Sequence, residues 1–146
     1  MTTSVKPNEI QLRMPSQIEL LDVVDKVAAA IAEQLEFDEE EAHSVANSVL
    51  EAATNAIQHG HLLDSSQAVD ITFEMTPEAL RVTVHDFGPG FDVDAVLNAD
   101  PTSPDSLLRP RGRGIFIMKS LMDEVSFEID PEAGCTAILT KFRRTR

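Results

Sequence analysis

In the segment Glu51-Ala52-Ala53-Thr54-Asn55-Ala56-Ile57-Gln58-His59-Gly60, the polar residues Glu51, Asn55 and His59 recur every fourth position and share one stripe of a helix. The amide oxygen of Asn55 is a hard, neutral ligand that suits Mg²⁺, which takes few protein ligands and completes its octahedron with phosphate and water oxygens. Glu51, one turn earlier, is placed to orient or deprotonate an attacking hydroxyl. The same stripe also fits a solvated helix edge, with His59 helping to close the helix C-terminus. A second group, Asp86-Phe87-Gly88-Pro89-Gly90-Phe91-Asp92, puts an acidic residue at the end of an apolar strand and two glycines just after it. Asp86 can accept a hydrogen bond from an exocyclic amine, which separates adenine from guanine at that edge, and Gly88 and Gly90 let backbone approach a flat ligand. An ordinary turn former is the alternative for Asp86. The third group, Arg111-Gly112-Arg113-Gly114-Ile115, leads into a helix whose N–H groups and dipole favour an anion. Arg109, Arg111 and Arg113 add charged donors for phosphate oxygens. Neither the G-x-x-x-x-G-K-[ST] loop nor the G-x-G-x-x-G fingerprint is present, because the residue three after Gly114 is Ile117.

The elements that must position these groups follow from periodicity. Residues 9–14 alternate as a short strand. Ser16 and Glu19 have the spacing of a capping box, and Ile18, Leu21, Val24, Ala28, Ile31 and Leu35 predict an amphipathic helix ending near Glu36. Asp38 and Glu41 repeat the cap and open a second helix that runs to about His59 and stops at Gly60. Val45, Val49, Ala52 and Ala56 form its core face, with the Glu51 stripe along the edge. From Ala68 the period changes to two. Val69, Ile71, Phe73 and Met75, then Leu80, Val82 and Val84 after the turn Thr76-Pro77-Glu78, predict a hairpin with one buried face. Residues 98–110 have no apolar period and read as a loop, and 114–122 read as a helix. Residues 125–129 and 135–142 complete a second hairpin around Asp130-Pro131-Glu132-Ala133-Gly134. The expected architecture is α+β, a two-layer sandwich whose mostly antiparallel, mixed sheet is covered on one face by about three helices.

At 146 residues the chain has the size of a single domain, 1–146, with its own core. Its 42% hydrophobic and 25% charged residues are ordinary globular composition. No apolar run approaches the ~20 residues of a membrane helix, and residues 1–9 lack the pattern of a signal peptide. Cys135 is the only cysteine, which excludes an internal disulfide and a Cys-only zinc site. A soluble cytoplasmic protein with no membrane partner is expected. The net charge of −13 repels nucleic acid at long range. Of the 12 Lys and Arg, Arg109, Arg111, Arg113 and Lys119 form one cluster and Lys141, Arg143, Arg144 and Arg146 another. The first, set among glycines, suits a small and highly charged anion. The second reads as a solvated tail, disordered over 143–146.

Each of the three chemical segments is common alone, but their order and spacing resemble the N, G1 and G2 boxes of the GHKL (Bergerat-fold) ATPases. Within that superfamily, Glu51-Ala52-Ala53-Thr54-Asn55-Ala56-Ile57-Gln58-His59-Gly60, the Asp86-Phe87-Gly88-Pro89-Gly90 turn and Arg111-Gly112-Arg113-Gly114-Ile115 with Met122-Asp123-Glu124-Val125 are similar to the anti-sigma factor serine/threonine-protein kinases. The stretch Pro131-Glu132-Ala133-Gly134-Cys135-Thr136-Ala137-Ile138-Leu139-Thr140 looks like the last hairpin of that family, and the resemblance spans 9–142. It implies an ATP- and Mg²⁺-dependent protein kinase. Glu51 would be the general base and Asn55 the Mg²⁺ ligand; Asp86 would bind the adenine amine, with Gly88 and Gly90 permitting its approach. Residues 98–111 would be a lid, and Arg111, Gly112, Arg113, Gly114 and Ile115 would surround the phosphates. The implied partners are a small antagonist (anti-anti-sigma) protein phosphorylated on serine or threonine, and a sigma factor sequestered in alternation. Members act as dimers, for which a strand edge at 9–14 is available.

Two positions depart from the family pattern. Gly134-Cys135-Thr136 stands where relatives often have Gly-Thr-Thr, leaving Thr136 to supply a hydroxyl near the adenine. Arg113 is bulkier and more basic than many relatives carry there, and either strengthens phosphate binding or points outward. The same residues also fit a nucleotide-sensing binding module with little or no phosphoryl transfer. A histidine kinase fragment fits less well, because no dimerisation helix pair precedes the ATP-binding segment.

Overall fold

The period-two stretches pair as their alternation requires. A computed structural model describes residues 6–60, 62, 64–97 and 110–144 of the chain. Its strands β1 (Glu9–Pro15), β2 (Ala68–Met75), β3 (Ala79–Asp86), β4 (Glu124–Asp130) and β5 (Gly134–Phe142) form one sheet in the order β1-β2-β3-β5-β4. Each described pair is antiparallel, where a mostly antiparallel, mixed sheet was expected. Register puts Ile71 opposite Val84, Val82 opposite Leu139 and Val84 opposite Ala137, so the apolar residues of successive strands share one face. Helices α1 (Leu21–Gln34), α2 (Glu39–Asn55) and α4 (Pro110–Leu121) supply the other layer, and a short α3 (Val93–Leu97) lies between. Val24, Ala28 and Ile31 of α1, Val45, Val49 and Ala52 of α2, and Ile115 and Met118 of α4 join Phe73, Ile71, Leu80 and Leu139 of the sheet in one buried cluster. Each large aliphatic or aromatic side chain buried there contributes about 1.5–3 kcal/mol relative to exposure.

The caps explain where the helices begin. Asp38 accepts from the Glu41 backbone N–H at 2.7 Å, and its own N–H donates to Glu41 Oε1 at 3.2 Å, so the capping box expected for α2 is formed. Glu39, Glu40 and Glu41 place negative charge on the first turn, where the helix dipole favours it. The box expected of Ser16 with Glu19 does not form a cap on α1. The chain enters instead through a 3₁₀ turn, Ile18–Leu20, whose flanking Gln17 makes no side-chain cap hydrogen bond. Ser16 is buried, and its N–H pairs with the Gln67 carbonyl at 2.9 Å, which ties it to the end of the sheet.

Two further boundaries differ from expectation. α4 opens at Pro110, four residues before the expected start at Gly114, because a proline is suited to the first position of a helix. The C-terminal basic residues are not a free tail as far as they are described. The Arg143 guanidinium donates to the carbonyls of Thr76 at 3.0 Å and Leu35 at 3.4 Å, and Arg144 pairs with Glu41 at 3.4 Å. The expected lid falls largely on 98–109, which lies outside the described residues, as do Arg109 and residues 145–146.

Candidate functional site

α2 carries the Glu51 stripe along the cleft between the helices and the sheet. Its capping box and core face fix the helix rotation, and this leaves Glu51 and Asn55 half-buried rather than solvated. Burial pushes the Glu51 carboxyl above its ordinary range, and the positive charge of Arg113 pulls it back in part. A carboxylate held there is a stronger base than a free one. α4 crosses α2 at Gly114. A methyl group on that residue would lie 2.9 Å from Glu51 Oε2 and 3.3 Å from Asn55 Nδ2. The absence of a side chain therefore brings the third chemical segment against the first.

The second segment closes the cleft from the sheet side. Asp86 ends β3 with its side chain buried on the helix face, and its Oδ1 accepts from the Gly88 N–H at 2.8 Å. Gly88 lies against the Gly60 backbone, and a methyl on Gly60 would come within 2.5 Å of the Asp86 carboxyl carbon. The loop then turns back over the sheet. Gly90, at φ +78°, packs on Ile129, and Phe91 meets Phe127 edge-on with ring centroids 5.1 Å apart. Asn55 and Ala56 on one wall, Val84, Asp86, Cys135 and Ala137 on the other, and Phe91 and Phe127 at the end enclose a cavity of about 20 Å³. That is about the space of one water molecule.

The structure brings Glu51, Asn55, Asp86, Gly88, Gly90 and Gly114 to this one cleft. Arg113 is exposed on α4, close enough to act on the charge of Glu51. Gly112 lies on the first turn of the same helix, and the Arg111 side chain is outside the described residues. Ile115 is buried in the core at 2% exposure. Because the helix opens at Pro110, the N–H groups of Gly114 and Ile115 fall in its hydrogen-bonded interior. The N–H groups left free at the helix start are therefore those of residues 111 and 112.

Thr136 does not stand where the sequence placed it. It is paired with His85, its hydroxyl 2.8 Å from His85 Nδ1, on the face of the sheet opposite to Asp86. Cys135, the partner of Asp86 in register, is the residue that faces the cleft. Sequence reasoning missed Cys135, Gly60, Phe91 and Phe127. The parity of β5 relative to β3 identifies Cys135, but only once the register is known.

Residues 14–141 match the histidine kinase-like ATPase domain family. The chain is 31% identical over 137 residues to the serine-protein kinase RsbW of Bacillus licheniformis, covering 91% of this chain and 84% of that protein. It is 30% identical to the serine-protein kinase RsbW of Bacillus subtilis at the same coverage of both. Its fold is similar to a chain in the crystal structure of the SiaB-SiaC complex from Pseudomonas aeruginosa. That match has a TM-score of 0.66 and 14% identity, and covers 92% of this chain and 89% of that one. With a family match over most of its length and these relatives, the chain belongs to the histidine kinase-like ATPase domain family, in the branch of the RsbW serine-protein kinases.

Proposed function

We propose that the chain binds ATP with Mg²⁺ and transfers the γ-phosphoryl group to a serine or threonine of a small antagonist protein, holding a sigma factor in alternation. The observation that carries this reading is the convergence of Glu51, Asn55 and Gly114 beside the Asp86 cleft. Glu51 takes the proton of the substrate hydroxyl as that oxygen bonds to phosphorus, and ADP leaves with the electron pair of the broken bond. Asn55 holds the metal through its amide oxygen. Asp86 accepts from the base amine, and Arg113 with the N–H groups of residues 111 and 112 holds phosphate oxygens. When bound, Mg²⁺ and ATP supply the neutralising charge and the phosphoryl group. Among the described residues no three His, Cys, Asp or Glu gather as a metal site, so the single amide of Asn55 suits an ion that draws its other ligands from phosphates and water.

No described helix is long and apolar enough to cross a membrane. A cytoplasmic location and a dimer paired through the edge strand β1 complete the proposal.

Substitution of the base tests the reading. Glu51→Gln is expected to retain ATP binding and to lower phosphorylation of the antagonist protein about 10²–10⁴-fold. Equal phosphorylation by the variant would remove the role of Glu51 and favour a nucleotide-sensing module instead.

A further inference from the structure

The turn after Asn55 is π-helical, Ala56–Gly60, and its last residue meets the carboxylate of Asp86. Such wide turns within helices recur at functional sites, because they shift the following residue off the helical path. Here Ala56 and Ile57 are buried in the core at 2% and 0% exposure, which anchors the turn. A methyl on Gly60 would lie 2.5 Å from Asp86 Cγ, 2.5 Å from Oδ1 and 2.8 Å from Oδ2. Carbon and oxygen atoms pack at about 3.5 Å, so one side must give way. Gly60 has little freedom to retreat toward Gly88, since even a methyl on Gly88 would collide with the Gly60 carbonyl and Cα. The Asp86 carboxylate turns about two side-chain bonds, and it is held by the Gly88 N–H at 2.8 Å. It is therefore the carboxylate that would move, and that hydrogen bond would break.

We infer that Gly60 is a positioning residue for Asp86: the bare Cα at the end of the π turn and the Gly88 N–H together set the carboxylate orientation that reads the base. Selectivity between adenine and guanine nucleotides then depends on residue 60 as well as residue 86. The inference rests on the reading of Asp86 as the base-recognising group. It also accounts for the interlock of the Gly60 and Gly88 backbones, which a turn serving only to end a helix would not need.

A double-mutant cycle separates the two claims. ATP, GTP and magnesium tripolyphosphate are titrated calorimetrically into the wild type, Gly60→Ala, Asp86→Ala and the double variant, with circular dichroism and melting temperature as fold controls. Gly60→Ala is expected to lose about tenfold in ATP affinity, to bring the ATP-to-GTP ratio toward one, and to keep tripolyphosphate binding unchanged. In the Asp86→Ala background, where the carboxylate is gone, Gly60→Ala is expected to change ATP affinity less than about twofold. Additive losses, or unchanged selectivity in Gly60→Ala beside a loss in Asp86→Ala, would overturn the inference alone. Unchanged selectivity in Asp86→Ala would overturn the reading of Asp86 and this inference with it. Should Gly60→Ala fail to fold, a folded double variant supports the clash with the carboxylate, and an unfolded one refutes it.

Discussion

At the ends of β3 and β5, the two faces of the sheet carry different chemistry. On the covered face, Asp86 and Cys135 pair beside Ile129 and look into the cleft under α2. On the open face, one residue away on each strand, His85 bonds Thr136 at 2.8 Å in the same cross-strand row as Glu128. Asp70, opposite His85 on β2, takes two hydrogen bonds from Arg13 at 2.6 and 2.9 Å. On the open face the His85–Thr136 and Arg13–Asp70 pairs bond each other across strands. The covered face has few polar groups, and they converge on one place. Ligand-directed chemistry here is marked by convergence and burial rather than by the density of polar side chains.

Two pairs of substitutions test that contrast. The largest effect is on stability. Leu139→Ala on the covered face is expected to cost about 2–5 kcal/mol in urea unfolding, and Thr140→Ala beside it, on the open face, less than about 0.5 kcal/mol. Similar costs would mean that both faces are packed. The next effect is on recognition. Asp86→Asn should lower the preference for ATP over GTP about tenfold in titration calorimetry, while Thr136→Val should leave both affinities within about twofold. A loss of ATP affinity in Thr136→Val would show that the open face takes part in binding.

The smallest effect is a displaced pH profile. As the proposed base, Glu51 would act in its ionised form, so the transfer rate is expected to fall as pH drops through its raised pKa, at higher pH than for an ordinary carboxylate. Arg113 holds that pKa down, so Arg113→Ala should move the acid limb to still higher pH. A limb that stays in place would separate Arg113 from the charge of Glu51.

What could be read from the sequence was whatever depends on neighbours along the chain. The alternation around Phe73 and Val82 yields both strands of the first hairpin, and Asp38 with Glu41 yields the start of α2. The stripe of Glu51 and Asn55 follows from the rotation of one helix. What depends on contacts between distant segments was not legible. Thr136 and Cys135 differ only in parity, and parity is set by how β5 docks on β3. Gly60 reads as a helix stop until Asp86 is seen against it. Arg143 and Arg144 read as a solvated tail because their partners, Leu35, Thr76 and Glu41, lie far away in sequence. Pro110 was a legible signal for the start of α4, outweighed by the glycines that follow it.

The strand order has a consequence for synthesis. β5 is made after β4 but lies between β3 and β4, so a nascent chain that has emerged as far as Asp130 holds β4 without a strand to pair with. The sheet wall carrying Cys135 and Ala137 is inserted last, between elements already on hand. Until then the β3 edge is exposed on the ribosome, where unpaired edges invite misassociation. The cleft wall formed by Cys135 and Ala137 is complete only with that strand, so a ligand held there would stabilise the finished sheet rather than its early pieces.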